Sequence, residues 1–293
     1  MQMHRHHEKG DRCPRIIAAP TETIDLMPVL PENLGLATDL LLHAEIGSVE
    51  STDRYLVVRT PQAPDYFFGN MLVLRDRPSA ADIGRLEDDF ARLVGVPPSI
   101  AHRTFTWSEK DAGTVNLDAF VERGYDATLC RVLTATPDQI RPAAAHANLE
   151  VRAFHSQRDW DDWAAMQLAD MPDPANPTSQ RYMAHQQIAH KNLIDRGFGA
   201  WWGAFIDGEQ VGSLGLFFFG RIGRFQAVIT SKQHRNQRIC KTLVSAVVRA
   251  TAGSADRLVM VADENYHAGK IYASLGFAQH GRLGSVCQEP APA

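Results

Sequence analysis

A chain of 293 residues, 44% of them apolar, has a globular composition and is long enough for one large domain or two of ordinary size. Its formal charge of -4 at pH 7 argues against a dedicated nucleic-acid binder, and no apolar run is long enough to span a membrane. Cysteines at 13, 130, 240 and 287 are too few and too scattered for a zinc knuckle or a disulfide framework, so a reducing, cytoplasmic setting without a structural metal is expected.

Residues 1–13 carry His4, His6 and His7 but no apolar stretch, and read as a flexible tail. Residues 14–37, rich in Pro and Leu without clean periodicity, read as a wrapping segment with a short helix. Three strands are expected next, at 38–46 (TDLLLHAEI), 54–60 (RYLVVRT) and 66–75 (YFFGNMLVLR). From Asp82 to Val94 the apolar residues Ile83, Leu86, Phe90 and Leu93 share one helical face, and Pro97 and Pro98 end that helix. A strand at 100–107, a short helix at 115–123 stopped by Gly124, and a strand at 127–133 complete the first half. Thr136 to Asn148, with two prolines and a run of alanines, forms the expected boundary: a lobe at 14–135, a linker at 136–147 and a second domain at 148–293.

The second half opens with a strand at 149–154 and a helix from about Asp159, whose Trp160, Trp163, Ala164 and Leu168 seal it to a core. The turn MPDPANPT precedes a helix at 180–195 that stops near Gly197. Apolar runs at 199–206 and 210–219, joined by Asp207-Gly208, read as a hairpin, and 224–230 adds a third antiparallel strand. Trp201 and Trp202 read as one inward and one outward by strand alternation, the outward one able to line an acceptor pocket or to pack in a core. A helix at 239–250 follows, then a strand at 257–262, a helix at 266–275 and a last strand from Phe277. This order, β-α-α-β-β-β-α-β-α-β, predicts an α+β fold in which helices pack on a mixed sheet. The first half ends in the same succession, and its AFVERGYDA answers IYASLGFAQ near the end of the second. Two related lobes packed side by side are therefore expected.

No acidic residue falls between Glu209 and Asp256, where Arg221, Arg224, Lys232, Arg235, Arg238, Lys241 and Arg249 all lie. A local positive field in an acidic chain points to a small anionic ligand. Within that window, ITSKQHRNQRICKTLV (229–244) runs from a strand into a helix through polar and cationic residues. The first N–H groups of a helix lack internal partners and can donate to phosphate oxygens, with the peptide dipoles favouring the same charge. Arg235 and Arg238 add charge-assisted donors suited to a diphosphate.

Residues 148–286 resemble the GCN5-related N-acetyltransferase (GNAT) superfamily. Its pyrophosphate motif is Gln or Arg, two variable residues, Gly, one variable residue, then Gly or Ala. Here Arg235, Asn236, Gln237, Arg238, Ile239 and Cys240 hold those places, followed by Lys241. ADENYHAGKIYASLGF (262–277) is similar to the second family signature through Asn265, Ala268, Tyr272, Leu275, Gly276 and Phe277. This chain departs at the central glycine, where it has Arg238. Either that side chain swings outward as a further phosphate contact or it fills the turn.

The resemblance implies a GNAT-like acyl-CoA N-acyltransferase fold in two tandem lobes, the first degenerate and without its own cofactor site. It implies transfer of an acetyl or short acyl group from acetyl-CoA, as co-substrate and without metal, to a primary amine on a small molecule or peptide. The acyl group is expected near Ala227, Val228 and Ile229, the pantetheine near Asn265 and Ala268, and Tyr272 as the general acid to the leaving sulfur. Asn265 can equally cap the following helix. The base stays open among His234, Asp263, Glu264 and water. The alternative is a degenerate member that binds acyl-CoA or a protein partner without turnover.

Overall fold

The computed structural model describes residues 30–143, 146 and 148–290; the expected tail and most of the wrapping segment lie outside them. In chain order the elements are α1 (Leu34–Ile46), β1 (Ser48–Ser51), β2 (Tyr55–Arg59), β3 (Met71–Leu74), α2 (Ile83–Leu93), β4 (Arg103–Glu109), α3 (Asp118–Glu122) and β5 (Asp126–Ala135). The second half supplies β6 (Leu149–Ala153), α4 (Gln157–Asp170), α5 (Pro177–Asp195), β7 (Gly199–Ile206), β8 (Glu209–Phe219), β9 (Ile222–Thr230), α6 (Ile239–Ala250), β10 (Arg257–Asp263), α7 (Ala268–Leu275) and β11 (Ala278–Gln288).

Two expectations for the first half are corrected, and one strand is added. The segment 38–46 is not a strand but most of α1, capped by the Asn33 side chain on the Leu36 amide. Its Leu36, Leu40, Leu41, Leu42 and His43 are all buried, so tertiary contact overrides the strand-like look of an apolar run. The 66–75 segment is broken: Phe67–Gly69 form a 3₁₀ turn, and only Met71–Leu74 join the sheet. A short edge strand, β1, pairs antiparallel with β2.

All strands among the described residues form one eleven-stranded sheet, ordered β1-β2-β3-β4-β11-β5-β10-β9-β8-β7-β6. The halves trade their last strands: β5 lies antiparallel between β10 and β11, and β11 lies antiparallel between β5 and β4. On either side of this exchange sits one parallel pair, β3 with β4 and β9 with β10. The two halves are thus related about the β5–β11 contact. Val132 and Leu133 of β5 are almost fully buried, on opposite faces. Each such side chain contributes about 1.5–3 kcal/mol through burial.

Neighbouring strand residues divide between two apolar layers. Val57, Leu72, Leu133, Leu258 and Trp202 face the side of α2, α3, α6 and α7, whereas Val58, Val73, Val132, Val259 and Trp201 face α1, α4 and α5. Trp201 and Trp202 point to opposite faces, but neither is outward: helices cover both sides of the sheet and both rings are buried in its core layers.

The repeat seen in the sequence has a geometric counterpart. Gly124 after α3 and Gly276 after α7 both take positive φ, at 88° and 111°. The Tyr125 amide donates to the Phe120 carbonyl at 3.0 Å, as the Phe277 amide does to Tyr272 at 3.1 Å. These are matching helix-stop motifs that close on a ring-to-ring contact.

Candidate active site

β9 and β10 are paired only over Ile222–Arg224 and Arg257–Val259, after which they part. On its other side β9 takes one extra residue against β8, between the pairs Gly215↔Gln226 and Ser213↔Ile229. Ala227 sits in that bulge at φ 43°, and its carbonyl accepts from Gln167 Nε2 of α4 at 3.3 Å. A bulge bends its strand and ends regular pairing, which is how a sheet interior comes to hold a cavity.

The opening is a cleft of about 330 Å³ on the α6–α7 face. Val228, Ile239, Ala268, Ile271 and Tyr272 make its apolar wall, and the turn from β9 into α6 makes its polar mouth. Of the residues picked out from sequence, Val228, Ile229, Arg235, Asn236, Arg238, Ile239, Cys240, Lys241, Ala268 and Tyr272 are gathered here. Ala227, Gln237 and Asn265 are not among the lining residues. Asn265 donates its amide to Asp263 Oδ1 at 2.7 Å and does not cap α7, whose N-cap is His267. Sequence reasoning passed over Asp170, Thr230, Tyr266 and His267, which also line the cleft. Only the strand order and the end of α4 bring Asp170 there.

Arg238 occupies the N-cap of α6 at φ 64°, ψ 8°, the left-handed conformation that glycine adopts freely, and Asn236 lies at φ 65°. Holding arginine there costs about 1 kcal/mol. No side chain caps α6, and Ile239, Cys240 and Lys241, whose amides lack an intrahelical acceptor in the first turn, line the cleft mouth.

The positive field is smaller than the sequence suggests, because acids from outside the window neutralise much of it. Arg221 pairs with Asp256 at 2.5 Å and the buried Arg224 with Asp39 of α1 at 2.7 Å. Arg235 pairs with Asp170 at 2.6 Å, and Lys232 lies 3.7 Å from the same carboxylate while its Nζ donates to the Ala169 carbonyl. Arg235 is thus tied to the end of α4 rather than held over the helix start. Arg238 and Lys241 are the lining Lys and Arg residues without a carboxylate partner among the described residues.

Burial pushes the Tyr272 hydroxyl well above the usual phenol range; neighbouring Cys240 and Tyr266 push the same way and Arg224 opposes them. Tyr272 therefore keeps its hydroxyl proton at neutral pH and is not a base. Burial likewise raises the Cys240 thiol to about 12, which keeps it protonated. Among the candidate bases, Glu264 is held below its ordinary range by Arg282, to which it is bonded at 2.7 and 2.8 Å. His234 lines the cleft with its Nδ1 2.8 Å from the Ser231 hydroxyl. No group of His, Cys, Asp and Glu able to hold a metal ion occurs among the described residues, and no helix there is long and apolar enough to cross a membrane.

A mixed sheet with a splayed parallel pair, a bulged strand and an uncapped helix beyond it defines a GNAT-like fold, here with two lobes in tandem. Residues 160–277 match the Acetyltransferase (GNAT) family. The chain is similar in structure to a functionally unknown conserved protein from Staphylococcus epidermidis, with TM-score 0.67 and 15% identity over 83% of this chain and 94% of that one. It is similar also to a GCN5-related N-acetyltransferase from Kribbella flavida (TM-score 0.58, 14% identity, 88% and 95% covered). A tandem GNAT protein from the clavulanic acid biosynthesis pathway aligns with TM-score 0.52 and 15% identity over 76% and 74% of the two chains. At these identities the likeness is one of fold. No curated protein matches by sequence.

Proposed function

We propose that the second lobe is an acyl-CoA-dependent N-acyltransferase that moves an acetyl or short acyl group to a primary amine. The observation that carries this reading is the uncapped start of α6 at the mouth of a cleft leading to Tyr272. Three unpaired amides, the helix dipole, Lys241 and Arg238 suit a diphosphate, and the apolar wall of Val228, Ala268 and Ile271 suits a pantetheine arm. The family match over residues 160–277 supports an acetyltransferase-type activity in the same segment.

In this reading a neutral amine attacks the thioester carbonyl, and the Tyr272 hydroxyl donates to the departing sulfur. The splayed strands hold the partners in line, and positioning supplies much of the acceleration. Glu264 is locked to Arg282, which leaves proton removal from the amine to His234, Asp263 or water. The first lobe is read as a degenerate partner without a cofactor of its own. The 3₁₀ turn Ala80–Asp82 that leads into α2 carries a capping box, in which the Ser79 amide and hydroxyl meet Asp82 Oδ2 at 2.9 and 2.7 Å, so a carboxylate stands where a phosphate would have to approach.

Calorimetry with coenzyme A, followed by thiol release from acetyl-CoA across a panel of amines, tests the reading. Binding with amine-dependent release is expected. Binding without release would leave a non-catalytic acyl-CoA binder, and no binding at all would remove both.

A further inference from the structure

We infer that a cavity of about 410 Å³ beside the start of β7 is a second ligand site, and that it takes a small aromatic carboxylate. This assignment is independent of the acyltransferase reading, since the cavity shares no lining residue with the α6–α7 cleft. Thr251, just past the end of α6, lines it, whereas the cleft lies at the first turn of that helix. The 12 residues of α6 therefore set the two spaces about 18 Å apart along its axis.

The topology opens this space. β6 is the last strand of the sheet, and it stops at Ala153, opposite Trp202. The Phe154 amide still donates to the Trp201 carbonyl at 2.8 Å, but Ser156 then caps α4 and the chain leaves the sheet. Across the gap Gly197, at φ 82°, follows the end of α5 and turns the chain toward β7. Gly199 and Ala200 thus have β8 as a neighbour on one side and no strand on the other. The rings of Phe154, Trp160, Trp201 and Trp202 wall the space that is left.

Hydrogen bonding defines the polar end of the ligand. Trp201 and Trp202 are 1% and 6% exposed, and the Nε1 donor of each has no partner among the described residues. A buried indole N–H without an acceptor forfeits the bond it made with water, so acceptor atoms brought in by a ligand are favoured. Lys191 adds charge. It is half-buried, its Nζ donates to Gln157 Oε1 at 2.7 Å and stands 5.4 Å from the Trp160 ring centre, and no carboxylate pairs with it among the described residues. Asp195 is the opposing charge in the lining, but it is exposed at the end of α5, where solvent and salt screen it. His155 is committed to Asp159, whose Oδ2 lies 2.8 Å from its Nδ1.

A carboxylate therefore suits the donors, and a flat ring suits the four aromatic walls. An ammonium is repelled by Lys191 and has no lone pair to offer the indoles. A carboxylate without a ring leaves the aromatic walls wet.

Titration of the full chain with 2-naphthoate, followed by calorimetry and by the indole N–H signals of the tryptophans in NMR spectra, tests this. 2-Naphthoate should bind and shift the signals of Trp201 and Trp202, while 2-naphthylmethylamine (ring, no anion) and acetate (anion, no ring) should bind about tenfold more weakly or worse. Lys191→Met, which keeps the stem and removes the charge, should raise the Kd for 2-naphthoate about tenfold, and Asp195→Asn should lower it about twofold, both with unchanged circular dichroism. Arg238→Asp, in the other cleft, should leave that Kd as it is. The assignment is overturned if 2-naphthoate does not bind, if the Trp201 and Trp202 signals stay still, if 2-naphthylmethylamine binds equally well, or if Arg238→Asp weakens the probe and Lys191→Met does not.

Discussion

The chain enters a helix from a parallel strand twice, once at residues 75–82 before α2 and once at 231–238 before α6, and the two turns treat the same electrostatic problem in opposite ways. In the first, Asp82 supplies the anion: it accepts from Ser79 and pairs with Arg85 at 2.5 Å, while Arg77 is held by Asp111 at 2.6 Å. In the second no side chain caps the helix, and two residues before it, Asn236 and Arg238, are held at positive φ. A helix start that supplies its own negative charge is a structural joint. One that withholds it keeps a place for a ligand. The helices that end each repeat differ in the same sense: where the second has Tyr272, the first has the buried ring of Phe120, which has no hydroxyl to donate.

That contrast can be broken most severely by giving the second lobe the first lobe's ring. Tyr272→Phe should lower kcat by roughly 10² to 10³ with little change in the Km for acetyl-CoA, measured by thiol release; full turnover in the variant would remove the general acid. Arg238→Asp, which imitates Asp82 at the start of α6, should weaken coenzyme A binding by about 100-fold in calorimetry, because it puts a carboxylate where the diphosphate would sit. Arg238→Gly, by contrast, should bind at least as tightly as the parent and gain about 1 kcal/mol of stability from the relieved left-handed residue; a large loss of affinity would show that the arginine head itself makes the contact. Asp170→Asn frees Arg235 and Lys232 and should tighten coenzyme A about threefold, an effect that rising salt erases.

The smallest effect belongs to the first lobe. Asp82→Ala should cost about 1 kcal/mol in chemical denaturation and leave coenzyme A affinity unchanged. The Ser79 amide and hydroxyl, with Arg85, lower the Asp82 carboxyl to about 2. Its contribution is thus fully present above the unfolded value near 3.8 and is lost as pH falls toward 2. The variant should lack that part of the acid sensitivity.

Much of the second lobe could be read from the chain because its signals are local. Asp207-Gly208 fixes a hairpin, and the face made by Ile239, Leu243 and Val247 fixes α6, which spans Ile239–Ala250. The turn and the second signature delivered most of the cleft residues for the same reason. α1 was hidden because a helix covered on nearly every side shows no polar stripe, so its apolar run imitates a strand. The ion pairs were hidden for a different reason: Asp39 and Asp170 reach Arg224 and Arg235 only after the sheet is assembled. Nothing in the periodicity of β11 says that its neighbours will be β4 and β5, since strand order is set by long-range closure.

The traded strands make the polypeptide behave like a clasp. A cut in the gene between codons 136 and 147 would yield one product that has lost the partner on each side of its final strand and another with a gap between β10 and β11. Each piece would expose raw backbone edges to solvent and to every other copy in the cell. Mixed together, the pieces carry the complement of what each lacks, so the fold of either half is a property of the closed clasp.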